Sequence, residues 1–229
     1  MQLTEYTGHD LIIATGVPGS QWSAALRIVS FNEGINRSDE SKDTFYEGAK
    51  AWHSGAYWGP YHKQGHNFDR LDLLSKEQVI TEFKKPYREW NSGIKIIKSH
   101  WFAYHLPLLK EMFPDAKFIA TYRTNEESFD WWHVCGGWDI GYPHYTWYVD
   151  NARMQKQIAI ENEHILDFFK LKRYNLGELL TSLGLKDTMP NNSEIDLIDT
   201  KLGRIAHDAD KSYLQICEKI VRRNKQGII

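Results

Sequence analysis

Residues 93–123 read GIKIIKSHWFAYHLPLLKEMFPDAKFIATYR, and this stretch decides the fold. It begins with a short apolar run over 93–98 that predicts a buried β-strand. A helix is predicted over 101–113, where Pro114 ends it, and a second apolar run predicts a strand over 116–122. A strand, a helix and a strand in this order predict two parallel strands of one sheet.

The N-terminal segment begins in the same way. Residues 10–15, DLIIAT, form a continuous apolar run that is typical of a buried parallel strand, and the turn GVPGS follows at 16–20. The next residues, QWSAALRIVSF at 21–31, carry apolar side chains at helical spacing. A further helix is predicted over 75–90, with Ser75 as its N-cap.

The remainder of the chain continues the alternation. Its predicted elements are helices over 125–134, 150–169, 176–183 and 208–223, a strand over 169–174, and Gly184 as a helix-ending glycine. Two stretches rich in aromatic residues, 36–74 and 136–148, predict irregular insertions. The sequence therefore predicts a single α/β domain over 1–229, with a mostly parallel central sheet flanked by helices on both faces.

Composition restricts the class of protein. The 229 residues carry 28 Lys and Arg against 30 Asp and Glu, and the net charge of −2 argues against a general nucleic-acid binder. The two cysteines, Cys135 and Cys217, form no CxxC pair, which disfavours a disulfide framework or a Cys-type zinc site and favours a reducing cytoplasm. No stretch of about 18 apolar residues is present, so we expect no membrane span.

Three short segments follow the predicted strands, at the edge of the sheet where ligands of such folds bind. The first is a glycine-containing loop at 16–23, which suits either an anion site or a tight turn. The second, Lys98-Ser99-His100, places a candidate general base beside a cation. The third contains Arg123, which suits either a bidentate phosphate contact or an ion pair with Glu126 or Glu127.

The block at 96–123 resembles the sulfotransferases that use 3′-phosphoadenosine 5′-phosphosulfate (PAPS). That family shows a strand ending in Lys-[Ser/Thr]-His, a helix, Phe-Pro-Asp-Ala-Lys, a strand and an arginine. A weaker similarity continues through LKRYNLGELLTSLGL at 171–185. The resemblance implies a P-loop-NTPase-like sulfotransferase architecture. It also implies transfer of a sulfuryl group from PAPS, without a metal, to a hydroxyl or amine of a small-molecule or carbohydrate acceptor.

Carried over by position, the resemblance assigns His100 as the catalytic base and Lys98 as the residue that contacts the sulfuryl group. Arg123 matches the arginine that holds the 3′-phosphate of the donor. The donor-binding residues that it implies are Gly16, Pro18, Gly19, Ser20, Gln21, Trp22, Ser23, Arg123 and Ser128.

Two positions depart from the family pattern. The family loop carries a Lys or Arg, whereas this chain has Gly19 or Val17 there, depending on the alignment. The family also has a serine eight residues after the arginine, where this chain has Trp131, and Ser128 is the nearest serine. The segment HKQGHNFD at 62–69 contains histidines and an acid but lacks a recognisable metal-ligand spacing.

Two other functions stay open on the sequence. A P-loop phosphotransferase would need a loop lysine and an acid that binds Mg²⁺, and neither is evident. A non-catalytic module of the same fold, binding a nucleotide or a glycan, is compatible with the missing loop lysine.

Overall fold

The structure is a computed structural model that describes residues 10–20, 29, 32–39, 56–57, 68–84, 87, 89–90, 92–134, 138, 149–170 and 181–185. Its strands are β1 (Leu11–Gly16), β2 (Ala56–Tyr57), β3 (Lys95–Lys98) and β4 (Lys117–Thr121). Its α-helices are α1 (Lys76–Lys84), α2 (Leu106–Met112), α3 (Asn125–Val134) and α4 (Asn151–Phe169). Short 3-10 segments occupy Phe68–Leu73 and His100–Ala103.

The four strands form one parallel sheet in the order β2-β3-β1-β4. β1 lies in the centre, with Ala14 opposite Lys98 of β3 and Gly16 opposite Thr121 of β4. The mostly parallel sheet and the α/β class that the alternating pattern predicts are thereby confirmed.

Both faces of the sheet are covered. Every residue of β1 is buried, with Leu11 and Ile13 in one hydrophobic cluster and Ile12 and Ala14 in another. Because successive side chains of a strand point to opposite faces, a strand covered on both faces must be apolar throughout. The larger cluster also holds a group of aromatic rings with centroid separations of 5.1 to 5.7 Å, which consists of Phe68, Phe83, Phe102 and Phe113.

The helix ends follow local capping chemistry. Ser75 caps α1 as predicted, because its hydroxyl accepts from the Gln78 amide at 3.3 Å while Gln78 Oε1 accepts from the Ser75 amide at 2.8 Å. The carboxylate of Asp150 accepts from the amide of Arg153 at 2.8 Å at the start of α4. Gly184 has a φ of +68°, in agreement with the predicted helix-ending glycine.

Two predicted helices are too long. The helix predicted over 75–90 ends at Lys84, because Pro86 lacks an amide hydrogen and disfavours helical geometry in the residue before it. The helix predicted over 101–113 is divided into the 3-10 segment His100–Ala103 and α2. Pro107 lies in the first turn of α2, where its ring is tolerated, so the helix begins anew there.

Further differences concern the predicted irregular and C-terminal parts. The insertion predicted to be irregular over 36–74 contains β2 and a 3-10 segment. The sequence pattern does not predict β2, because a strand of two residues is too short to show an alternation of apolar and polar side chains. Phe169 is the last residue of α4, in agreement with the helix predicted over 150–169, so the strand predicted over 169–174 does not begin at this residue. Lys170 is the C-cap of that helix, and residues 171–174 of the predicted strand lie outside the described residues. The helix over 208–223 and the insertion at 136–148 apart from Trp138 lie outside them as well.

A buried ion pair lies at the amino end of β3. Lys95 and Asp39 contact each other with side-chain exposures of 1% and 4%. The Lys95 ammonium also donates to the Asn36 carbonyl at 3.2 Å and lies 4.8 Å from the centre of the Tyr87 ring. These contacts fix the segment 32–39 against the sheet, on the edge opposite the predicted site.

Candidate functional site

The three predicted segments meet at the carboxyl edge of the sheet. Because β1 lies between β3 and β4, the chain leaves all three strands at neighbouring points. The hydroxyl of Thr15 donates to the carbonyl of Ser99 at 2.8 Å, which joins the first segment to the second. The hydroxyls of Ser20 and Thr121 lie 2.8 Å apart, which joins the first segment to the end of β4.

The loop after β1 begins with a tight turn. The Ser20 amide donates to the Val17 carbonyl at 3.1 Å, and Gly19 has a φ of +77°. Proline followed by a glycine of positive φ is the pattern of a type II β-turn, and Pro18 and Gly19 supply it. Gly16 is the last residue of β1, and Gln21, Trp22 and Ser23 lie outside the described residues.

The two positions aligned with the family's basic residue differ in their surroundings. A Cβ atom on Gly19 would lie 1.8 Å from the Ser128 carbonyl oxygen and 2.7 Å from the Trp132 amide nitrogen, both in the backbone of α3. The side chain of Val17 is completely buried in the larger core cluster. The backbone of α3 therefore leaves no space for a basic side chain at Gly19.

Lys98 and His100 flank the end of β3, and both are buried. Lys98 is the last residue of the strand and is 1% exposed. Ser99 accepts a hydrogen bond from the Trp101 amide at 3.3 Å and so begins the 3-10 segment that carries His100. The ring of His100 is completely buried and lies 4.9 Å from the Trp101 ring, centre to centre. Burial lowers the pKa of His100 from 6.5 to about 3, so the imidazole is neutral at pH 7.

Arg123 stacks on an aromatic ring. Its guanidinium carbon lies 4.7 Å from the centre of the Trp131 ring, and its Nη1 is buried without a hydrogen bond to any described residue. Glu127 instead forms a reciprocal cap with Thr124, in which each backbone amide donates to the other side chain at 3.3 Å. Trp131, at the position of the family's serine, thus supports the arginine. The feature of the sequence that points to this contact is an aromatic residue about two helical turns after Arg123.

Ser128 is completely buried, and its hydroxyl donates to the carbonyl of Arg123 at 3.4 Å. Asn162 on α4 contacts the same carbonyl, because its Nδ2 donates to Arg123 O at 2.9 Å and to Asn125 Oδ1 at 2.8 Å. Asn162 is not among the residues predicted from the sequence. Its signal is a polar residue on the buried stripe of α4 that includes Met154 and Ile158.

A comparison of the chain with protein-family models, with curated proteins and with solved structures finds no match in any of the three. Among the described residues, no three His, Cys, Asp or Glu side chains come together in a way that could hold a metal ion. None of the helices in the described ranges has both the length and the apolarity that a membrane crossing requires.

Proposed function

We propose that this protein is a PAPS-dependent sulfotransferase of P-loop-like architecture. In this proposal it transfers a sulfuryl group to a hydroxyl or amine of a small-molecule or carbohydrate acceptor. The supporting observation is the convergence of the turn at 16–20, the Lys98–His100 segment and Arg123 at one carboxyl edge of a parallel sheet. Ligands of open α/β sheets bind at this edge.

The residues at this edge fit an anionic donor in part. The buried Nη1 of the Arg123 guanidinium makes no hydrogen bond to a described residue. A phosphate oxygen of PAPS would accept a hydrogen bond from it. Trp131 limits the orientations of the guanidinium and so lowers the entropy lost on binding. The turn supplies no basic side chain at Val17 or Gly19, so Lys98 would carry the positive charge near the transferred group.

PAPS would supply an activated sulfuryl group, and the chain would supply the proton acceptor and the compensating charge. A neutral His100 ring can accept the proton of an acceptor hydroxyl at a ring nitrogen. The Lys98 ammonium would stabilise the negative charge that develops on the leaving phosphate. A base with a pKa of about 3 holds a proton weakly at pH 7, so this mechanism requires the anionic donor to raise the pKa of His100 in the complex.

Calorimetric titration with 3′-phosphoadenosine 5′-phosphate in EDTA tests the donor site, with AMP and ATP as controls. We expect selective binding that weakens about tenfold to a hundredfold in Arg123→Ala, the range for a lost hydrogen bond to a charged group. Arg70→Ala removes the same charge from an exposed position in the 3-10 segment at 68–73 and should bind as the wild type does. Absent binding, or equal binding of AMP, would contradict the donor site. Preferential binding of ATP would favour the phosphotransferase.

Single-turnover transfer from labelled PAPS to a panel of phenols, alcohols and sugars tests the chemistry. We expect His100→Ala to abolish transfer while it leaves the affinity for 3′-phosphoadenosine 5′-phosphate unchanged. Lys98→Met should slow transfer. Transfer that persists in His100→Ala would exclude His100 as the base.

A non-catalytic nucleotide- or glycan-binding module of the same fold is the second candidate. Two observations favour it: the completely buried ring of His100 and the absence of space for a basic side chain at Gly19. In that case the protein would bind 3′-phosphoadenosine 5′-phosphate or a glycan, and the single-turnover assay would give no product with any acceptor in the panel.

A further inference from the structure

The backbone carbonyl of Arg123 accepts hydrogen bonds from two different helices. The hydroxyl of Ser128 on α3 donates to it at 3.4 Å, and the Nδ2 of Asn162 on α4 donates to it at 2.9 Å. Ser128 lies five positions away in the chain and its contact is long, whereas Asn162 lies 39 positions away and its contact has an ordinary length. The shorter of the two hydrogen bonds therefore holds the Arg123 peptide against a separate helix.

The Asn162 amide makes a second contact at the same place. Its Nδ2 also donates to Asn125 Oδ1 at 2.8 Å, so each of its two hydrogens has a partner. Since a hydroxyl has only one hydrogen to donate, a serine or threonine at this position could not hold both oxygens. Asn162 is 2% exposed, and a buried amide that loses its partners is costly, so these contacts keep the Arg123 carbonyl in one position.

The Arg123 side chain depends on this backbone for its own position. Its guanidinium carbon lies 4.7 Å from the centre of the Trp131 ring, and its buried Nη1 makes no hydrogen bond to a residue of the described ranges. Among the described residues, the ring and the backbone therefore determine where the guanidinium lies. A rotation of the peptide after Arg123 would move the guanidinium relative to the ring and redirect its N–H groups.

We propose that Asn162 is a positioning residue for anion binding. By fixing the Arg123 carbonyl, its amide keeps the guanidinium on the Trp131 ring and so preorganises the N–H groups that bind a phosphate. The effect on affinity rests on the proposed function, in which the 3′-phosphate of the donor binds at Arg123. The effect on the position of the guanidinium requires no ligand.

NMR spectroscopy of the free protein tests the position of the guanidinium. The ring current of Trp131 should shift the Nε–H signal of Arg123 upfield, and Arg123→Ala identifies the signal by its absence. We expect both Asn162→Leu and Asn162→Ala to move this signal downfield. The two substitutions change the side-chain volume in opposite directions, so an effect that they share comes from the lost N–H donors.

A matched control separates this effect from a general loss of stability. Asn32 is also 2% exposed, and its Oδ1 accepts from the Gly34 amide at 3.0 Å in the segment 32–39, at the opposite edge of the sheet. Asn32→Ala should leave the Arg123 signal in place. Thermal unfolding of each variant monitors the fold.

Calorimetric titration tests the effect on affinity through a double-mutant cycle. We expect Asn162→Leu to weaken the binding of 3′-phosphoadenosine 5′-phosphate about threefold to tenfold when Arg123 is present. In the Arg123→Ala background the same substitution should have no effect, because the guanidinium that Asn162 positions is absent. AMP, which lacks the 3′-phosphate, should bind equally to the wild type and to Asn162→Leu.

Two kinds of result would overturn the proposal. An Arg123 signal that stays in place in folded Asn162→Leu and Asn162→Ala would show that Asn162 does not hold the guanidinium. Equal weakening of binding with and without the Arg123 side chain, or an equal effect of Asn32→Ala, would show a general effect on the fold. Absent binding to the wild type would instead contradict the proposed donor site, and the NMR signal would then decide whether Asn162 positions Arg123.

Discussion

The burial of His100 makes the stability of the protein depend on pH in a defined direction. Burial lowers the pKa of the ring from 6.5 to about 3, so the unfolded chain binds more protons than the folded one between these values. The contribution of His100 to stability is therefore complete above pH 6.5 and is lost as the pH falls toward 3. Replacement of the ring by His100→Gln removes this dependence.

The magnitude follows from proton linkage. Each pH unit inside the window costs about 1.4 kcal/mol of unfolding free energy. Between about pH 7.5 and 4.5 the loss through His100 sums to about 3 kcal/mol. Other groups titrate in the same range, but their contributions cancel in the difference between the wild type and the variant.

Urea-induced unfolding at several pH values measures that difference. We expect the free energy of unfolding of the wild type, relative to that of His100→Gln, to fall by about 3 kcal/mol across this range. The difference in unfolding free energy between the wild type and His100→Leu should change with pH by the same amount as for His100→Gln. Its absolute value should differ, because the effect of each substitution on packing does not depend on pH. A difference that stays constant with pH would refute the reasoning, since it would mean that the ring reaches water or a partner that stabilises its charged form.

Three further predictions concern unfolding free energies, each measured by urea-induced unfolding. Gly19→Ala should lose about 2–5 kcal/mol, because a left-handed backbone costs about 1–2 kcal/mol and overlap with α3 about 1–3 kcal/mol. Asp39→Asn should lose about 3–5 kcal/mol, because it leaves the buried Lys95 ammonium without its countercharge. Thr124→Ala should lose about 1 kcal/mol through the missing N-cap of α3.

Matched variants separate the causes. Gly184→Ala has the same kind of backbone, with a φ of +68°, but its new methyl would meet only the flexible end of Lys117 at 3.2 Å. An equal loss in Gly184→Ala and Gly19→Ala would contradict the packing of Gly19 on α3. Lys95→Met combined with Asp39→Leu should recover much of the loss, since no charge then stays buried. Thr124→Ser should keep the cap, and a loss equal to that of Thr124→Ala would argue against it.

The sequence predicts the sheet well, because a strand that is buried on both faces must be a continuous run of apolar residues. The apolar runs at 93–98 and 116–122 contain β3 and β4, and the run at 10–15 covers all of β1 except Gly16. The parallel pairing of these strands follows from the helices between them. Helix lengths are predicted less well where proline intervenes. Pro86 and Pro107 interrupt runs whose apolar spacing continues past them, so periodicity alone gives helices that are too long.

The site is predicted less completely, because side-chain contacts between distant segments leave no local pattern. The convergence of the strand ends was predictable from topology. The contact of Gly19 with α3 was not, since it joins residues 109 positions apart in the chain. The hydrogen bond from Asn162 to the Arg123 carbonyl spans 39 positions and likewise has no short-range signature.

Asn162 links the backbone that carries Arg123 to α4, the longest helix of the described chain. Its Nδ2 donates to the Arg123 carbonyl and to Asn125 Oδ1, which lie on either side of Thr124. A displacement of α4 would therefore shift the peptide that carries the arginine. Such coupling is reciprocal: if an anion bound at Arg123 stabilises the position of α4, a change that stabilises α4 in that position raises the affinity for the anion by the same factor. One amide group would thus link the position of a helix to the strength of anion binding.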